Sequence, residues 1–324
     1  MSNHWRALRR RILTPSVSST LLDVRGFHKK TPAAQELLEA VGRTFLTGYG
    51  HAAEARSPDE AEERLEEVPT QFRGFAYEGA AMAFTIRDQL PLGGGGRVTR
   101  FLTGRGAAHI YMVYIGVGWA MARLPRFRWP DLRVTDPLLR WLVLDGYGFH
   151  QAYFRTGRYV HERHQDHRFP WPPAEHSWYT SHAIDQGIGR ALWFVGGTDA
   201  DRVAALIGRF AESRRGDLYG GAALAATYAG GGQAEELQRF WQHAGPYRPQ
   251  VAQGCAFGAE ARVRAGLLVP HTETATEVFC GMTPERAADL VRQARPATPM
   301  TGEVPAYQVW RQRTANEFAT LGRC

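Results

Sequence analysis

Apolar positions along the chain recur mostly at helical spacing. Between Gln35 and Leu46, Leu37, Leu38, Val41 and Phe45 repeat at intervals that put them on one face of a helix. Thr31-Pro32, Ser57-Pro58, Asp136-Pro137 and Thr283-Pro284 each set a side-chain oxygen before a proline. That oxygen can accept a hydrogen bond from an N–H of the first turn, and proline lacks an N–H where none would be paired. The pattern predicts helices opening at all four places. The one from Ser57 to Val68 is charged, with its acids facing water. Thr198–Ala211, Gln233–Ala244 and Tyr307–Leu321 read as further helices, and the only strand-like stretch is His109–Ile115.

A second set of segments is apolar almost all round and carries small residues one turn apart. Gly79-x3-Ala83, Gly118-x3-Ala122, Gly148-x3-Ala152, Gly187-x3-Ala191 and Gly221-x3-Ala225 share Gly-x3-Ala, and Gly254-x3-Gly258 continues it. The intervals of 39, 30, 39, 34 and 33 residues have the length of a helix-turn-helix repeat. Glycine inside a helix costs about 1 kcal/mol relative to alanine, and close approach of a neighbouring helix supplies the reason to keep it. The expected architecture is all-α, with stacked αα-hairpin repeats forming a solenoid or a curled α/α bowl around a central aromatic-lined cavity. Residues 1–26 read as a basic N-terminal segment docking on a helical-repeat domain at 27–295. Within it 157–181 is a long lid-like loop, and 296–324 forms a linker and C-terminal helix. Pro91–Arg97 and Arg295–Gly302 are the other flexible breaks.

Composition narrows the functional classes. The chain is 44% hydrophobic and 22% charged, as in globular proteins, and carries nine Trp, twelve Tyr and sixteen Phe. That many rings would suit an apolar ligand cavity as well as a core. The formal charge is +7, but Lys29 and Lys30 are the only lysines, and the arginines are dispersed apart from Trp5–Leu13. No basic stripe on a recognisable module appears, so no nucleic-acid partner is expected. Cys255, Cys280 and Cys324 are scattered and odd in number, which argues against a disulfide framework and for a reducing, cytoplasmic setting. No run approaches the roughly 18 to 20 apolar residues of a membrane span.

Three patterns could carry chemistry. Gly116-Val-Gly-Trp-Ala-Met-Ala122 approximates G-x-G-x-x-A with its alanine one position late, but no βαβ unit surrounds it and the same small residues recur elsewhere, so helix packing accounts for it better than a dinucleotide turn. His161-Glu-Arg-His-Gln-Asp-His167 crowds imidazoles and carboxylates into one loop without a defined metal spacing. No cofactor is assigned, and a divalent metal there stays an alternative. The third pattern is a set of acids just before the repeat glycines: Glu78, Asp145, Asp185 and Asp217. Trp141–Phe154 is the richest of these segments, holding Asp145, His150 and Tyr153 in one buried helix. If equivalent positions line one surface, Glu78, Asp145, His150, Tyr153, His182 and Asp185 become the candidate catalytic residues. Tyr77, Trp119, Phe149, Trp193 and Tyr219 become the substrate-binding rings. His182 and Asp185, one turn apart, would pair as an oriented acid/base. A carboxyl in an aromatic pocket has a raised pKa and can donate a proton. The competing account pairs these acids with arginines such as Arg140, Arg155, Arg190, Arg214 and Arg215 as structural salt bridges.

Several long words also resemble a known family. They are Arg73–Ala83, Asp136–His150, Asp185–Phe194, Leu224–Gly230 and Ala252–Phe257. They are similar to a bacterial domain-of-unknown-function family found in specialised-metabolite biosynthetic clusters, including those for enediynes. The similarity covers about residues 20 to 290 and implies a biosynthetic setting, with no catalytic residues to carry over. The expected function is a biosynthetic enzyme acting on a large apolar, polyene or isoprenoid-like small molecule by acid/base-promoted cyclisation or rearrangement. The rival is a non-catalytic helical module that binds or chaperones a reactive metabolite or docks a synthase. A homodimer or a biosynthetic partner protein fits either.

Overall fold

A computed structural model describes residues 3–91, 94–131, 136–167, 169–170, 174–297 and 302–322. Cys324 and parts of the Pro91–Arg97 and Arg295–Gly302 breaks lie outside the described residues. Regular structure among the described residues is entirely helical. The first part of the chain forms α1 (Asn3–Leu13), α2 (Leu22–Arg25), α3 (Pro32–Glu54), α4 (Pro58–Leu65), α5 (Thr70–Gln89) and α6 (Arg97–Thr103). Then come α7 (Ile110–Arg123), α8 (Trp141–Phe154), α9 (Thr180–Val195), α10 (Ala200–Gly208) and α11 (Glu212–Ala229). The last are α12 (Ala234–Ala244), α13 (Arg248–Arg264), α14 (Pro270–Cys280), α15 (Pro284–Ala294) and α16 (Ala306–Thr320).

The capping signals act as their chemistry predicts. Thr31, Ser57 and Thr283 accept from the backbone N–H of Ala34, Glu60 and Arg286, and Asp136 accepts from Leu138 and Leu139 just ahead of α8. Two expectations need correction. The strand-like His109–Ile115 is the entry into α7, a helix buried along nearly its whole length. A helix apolar on all sides has no 3.6-residue period to display, so its Ile, Val and Tyr read as strand. In α4, Glu62 does not face water: it is buried and accepts from the Gly106 N–H at 3.2 Å.

The long helices α3, α5, α7, α8, α9, α11, α13 and α15 pack on one another in that order, with the short helices as connections. Glycine sets the approach. A Cβ placed on Gly79 would fall within 3.0 Å of Phe45 O, on Gly116 of Glu78 O, and on Gly187 of Asp145 O. The rule is sharper than a Gly-x3-Ala pair. In α7, α8 and α9 the glycines are two apart, and residues two apart lie about 200° around a helix from each other. Gly116 meets α5 while Gly118 meets α8, Gly146 meets α7 while Gly148 meets α9, and Gly187 meets α8 while Gly189 meets α11. Each helix thus offers a bare backbone to both neighbours.

α1 docks on the C-terminal end of α3. Arg6 and Arg9 donate to the carbonyl of Glu54 at 3.0 and 2.8 Å, and Arg10 pairs with its carboxylate at 3.0 Å. Cations on orphan carbonyls at a helix C-terminus are favourable both as hydrogen bonds and with the helix dipole. Within 157–181, Gly157–His161 forms a turn of π-helix and Ala174–Tyr179 a 3-10 segment. His176 and Trp178 reach the carbonyls of Gly302 and Glu303 at 2.9 and 3.3 Å.

Candidate active site

The C-terminal half of α8 faces a small, partly open cavity with about 50 Å³ of room for water-sized spheres. Phe149, His150 and Tyr153 form one wall, and Phe45, Phe75, Glu78, Trp119 and Phe194 come from α3, α5, α7 and α9. Five of the residues singled out from the sequence, Glu78, Trp119, Phe149, His150 and Tyr153, therefore meet in one place. Trp119 is central to the wall, with ring centroids 4.7 Å from Phe45, 5.1 Å from Phe149 and 5.4 Å from His150.

The polar groups of this wall behave as groups removed from water. Burial pushes the Glu78 carboxyl up to about 7, with Arg190 opposing and the Asp145 carboxylate reinforcing the shift. Its Oε1 has no hydrogen-bond partner among the described residues. Burial, with Arg123 and Arg155, pushes His150 down to about 3, so the ring is neutral, and both its nitrogens lack hydrogen-bond partners among the described residues. Burial also raises the Tyr153 phenol above its ordinary value, and its hydroxyl makes only a long contact of 3.5 Å to Thr20 O.

Behind Glu78 lies a buried ionic core. Arg190 of α9 donates to Asp145 Oδ1 at 2.5 Å, and its guanidinium stands 5.0 Å over the Phe149 ring. Asp145 itself lines a second, smaller cavity with about 30 Å³ of room for water-sized spheres, together with Tyr111, Leu142, Tyr228, Phe257 and Tyr307. The glycine seams place these groups. Gly116 rests on the Glu78 carbonyl, Gly187 on that of Asp145, and Gly221 against the Arg190 N–H. The acids precede the glycines in sequence because both belong to the same helix crossings.

A family described as Protein of unknown function (DUF1702) matches residues 4–318, nearly the whole chain. The chain belongs to the DUF1702 family. No curated protein and no solved structure matches it.

The remaining candidates of this DUF1702 chain lie elsewhere. Asp185 does not pair with His182. Both its oxygens are taken by Arg214, at 2.9 and 2.6 Å, because a planar guanidinium makes two parallel bonds where an imidazole makes one. Burial still pushes Asp185 up to about 6 against that pull. His182 turns to Asp217 of α11, Nδ1 to Oδ2 at 2.7 Å, and Arg311 of α16 holds the other oxygen at 2.7 Å. The hydrogen bond to Asp217 raises the His182 pKa. His182, Asp217 and Arg311 line a polar hollow with Ser213, Gln250 and Gln253, apart from the aromatic cavity.

Tyr77 donates to Glu66 at 2.6 Å and stacks on His109 at 3.7 Å. Trp193 donates to Gly230 O at 2.9 Å, and Tyr219 to His243 O at 3.2 Å. These three rings are packed in other parts of the molecule. Tyr228 and Arg311, which the sequence reading does not select, complete the buried polar groups. Arg190 is among the arginines expected to pair with these acids, and it takes Asp145. Tyr228 carries no comparable signal. Among the described residues no three His, Cys, Asp or Glu side chains are placed to hold a metal ion, and His164 of the histidine-rich loop lies 2.8 Å from Arg158. No helix among them is long and apolar enough to cross a membrane.

Proposed function

We propose that this protein is a cytoplasmic biosynthetic enzyme that admits a large apolar molecule, polyene or isoprenoid-like, to the cavity beside Glu78. There it promotes cyclisation or rearrangement by acid/base chemistry. One observation carries the reading: a carboxyl sits in an aromatic wall beside Trp119, pushed by burial to a pKa of about 7, with one oxygen lacking a hydrogen-bond partner among the described residues. Perturbed carboxyls of this kind mark functional sites because a proton donor works best with a pKa near ambient pH. Glu78 is the proton donor and acceptor. Asp145 helps keep the proton on it by repulsion, and the faces of Trp119 and Phe149 stabilise developing positive charge. His150, held neutral, serves as a hydrogen-bonding wall group. The helix row is read as a degenerate repeat curled around this site, and the setting as a specialised-metabolite cluster, enediyne clusters included.

The binding-module alternative draws on a different observation. Asp185 and Asp217 are both engaged by arginines, as in a scaffold. Metabolite profiling of the source organism separates the two, comparing wild type, a clean deletion and Glu78→Gln confirmed as folded and abundant. Accumulation of one shared precursor in the deletion and the Gln strain supports the enzyme. Full product from the Gln strain overturns the role of Glu78 and puts the binding module first.

A further inference from the structure

The two apolar cavities flank the buried ionic core, Glu78 lining one and Asp145 the other, and the groups there are incompletely satisfied. Glu78 Oε1, Asp145 Oδ2, Arg190 Nε and the Tyr228 hydroxyl are all buried without a hydrogen-bond partner among the described residues. Their side chains belong to residues at most 3% exposed. Glu78 lines the first cavity, while Asp145 and Tyr228 line the second. Arg190 lines neither but touches a wall residue of each, bonded to Asp145 of the second and lying over Phe149 of the first. Phe75 of the first cavity and Tyr228 of the second touch edge to face at 5.2 Å, and the Tyr228 hydroxyl lies against Gly74, one turn before Glu78 on α5. A buried polar atom left without a partner costs about 1–3 kcal/mol, so this concentration of them at one junction calls for a ligand group that satisfies them.

We infer that the two cavities are arms of one ligand tract and that the ligand carries a hydroxyl group part-way along an otherwise apolar chain, seated among Glu78, Asp145, Arg190 and Tyr228. This rests on the reading of the first cavity as the substrate site and names the substrate class. The chemistry selects the group. A hydroxyl donates to a carboxylate oxygen and accepts from the Arg190 Nε–H or the Tyr228 hydroxyl at once. A ketone can only accept, from Arg190, Tyr228 or protonated Glu78, and would leave the Asp145 oxygen unsatisfied. An ammonium would suit the acids but be repelled by Arg190. An apolar arm on each side follows from the two cavities, so a terminal alcohol fits less well than a mid-chain one.

The test uses the full chain and displacement of Nile red by 7-tridecanol, 7-tridecanone and 1-tridecanol, with wild type and Tyr228→Phe. The Phe variant keeps the ring against Phe75 and removes only an unpartnered hydroxyl, so its thermal stability should not fall. The expected result is that 7-tridecanol binds about tenfold tighter than the ketone or the terminal alcohol. Loss of one hydrogen bond in Tyr228→Phe should weaken it about three- to tenfold. Equal affinities for the three probes in wild type, or an unchanged affinity in Tyr228→Phe, would overturn the hydroxyl site while leaving the apolar cavity in place. Failure of every probe to displace the dye would instead overturn the reading of the first cavity on which the inference stands.

Discussion

Glu78 makes the protonation argument measurable without knowledge of the substrate. Burial lifts its carboxyl from an ordinary 4.5 to about 7. An acid whose pKa is higher in the folded than in the unfolded chain holds an extra proton when folded. Its contribution to stability is complete at low pH and is lost as pH rises through the folded value. Between about pH 5 and about pH 8 that loss amounts to about 2–3 kcal/mol. In a chain of this length it corresponds to a fall in melting temperature of about 4 °C. Glu78→Gln keeps the size and the carbonyl oxygen, cannot ionise, and leaves the Arg190–Asp145 pair intact. Urea unfolding of wild type and variant across this range removes every other titration by difference. The variant should equal wild type or fall slightly below it at pH 5, and should gain on wild type by about 2–3 kcal/mol as pH rises to 8. Parallel pH curves for the two proteins would mean that Glu78 titrates normally, and the proposed proton donor would be lost.

Two further predictions concern the helix seams and the polar hollow. Gly187→Ala, whose Cβ would collide with the Asp145 carbonyl, should destabilise by about 3 kcal/mol or more. Gly208→Ala, with nothing within 4 Å, should gain about 0.5–1 kcal/mol, and similar melting shifts for the two would refute the seam argument. In an NMR titration His182 should show a pKa above that of an ordinary histidine, since its bond to Asp217 favours the charged ring. Asp217→Asn should lower it, and an unchanged titration would show that the pair does not form in solution.

The helices were largely legible from local chemistry. Thr31, Ser57 and Thr283 announce their caps within three residues, and the amphipathic stretch of α3 shows its buried face by spacing alone. α7 was misread because full burial removes the periodic contrast. The spacing of the glycines points to close helix approach, yet their pairing at two residues apart, one for each neighbour, is visible only once the neighbours are in place. The same holds for Glu62, whose partner Gly106 is distant in sequence.

The sequence by itself determined that the chain is helical, that close backbone approach recurs along it, and that acids and rings accompany those approaches. Tertiary structure decided how those groups were divided. It sent Glu78, Trp119, Phe149, His150 and Tyr153 to one cavity, gave Asp145 to Arg190, Asp185 to Arg214 and His182 to Asp217, and left Tyr77, Trp193 and Tyr219 as packing rings. Local periodicity fixes which way a side chain leaves its own helix. Whether it meets a cation, a ring or a cavity depends on helices far away in sequence, and that meeting sets burial and charge environment, which turn a carboxylate into a salt bridge or a proton donor.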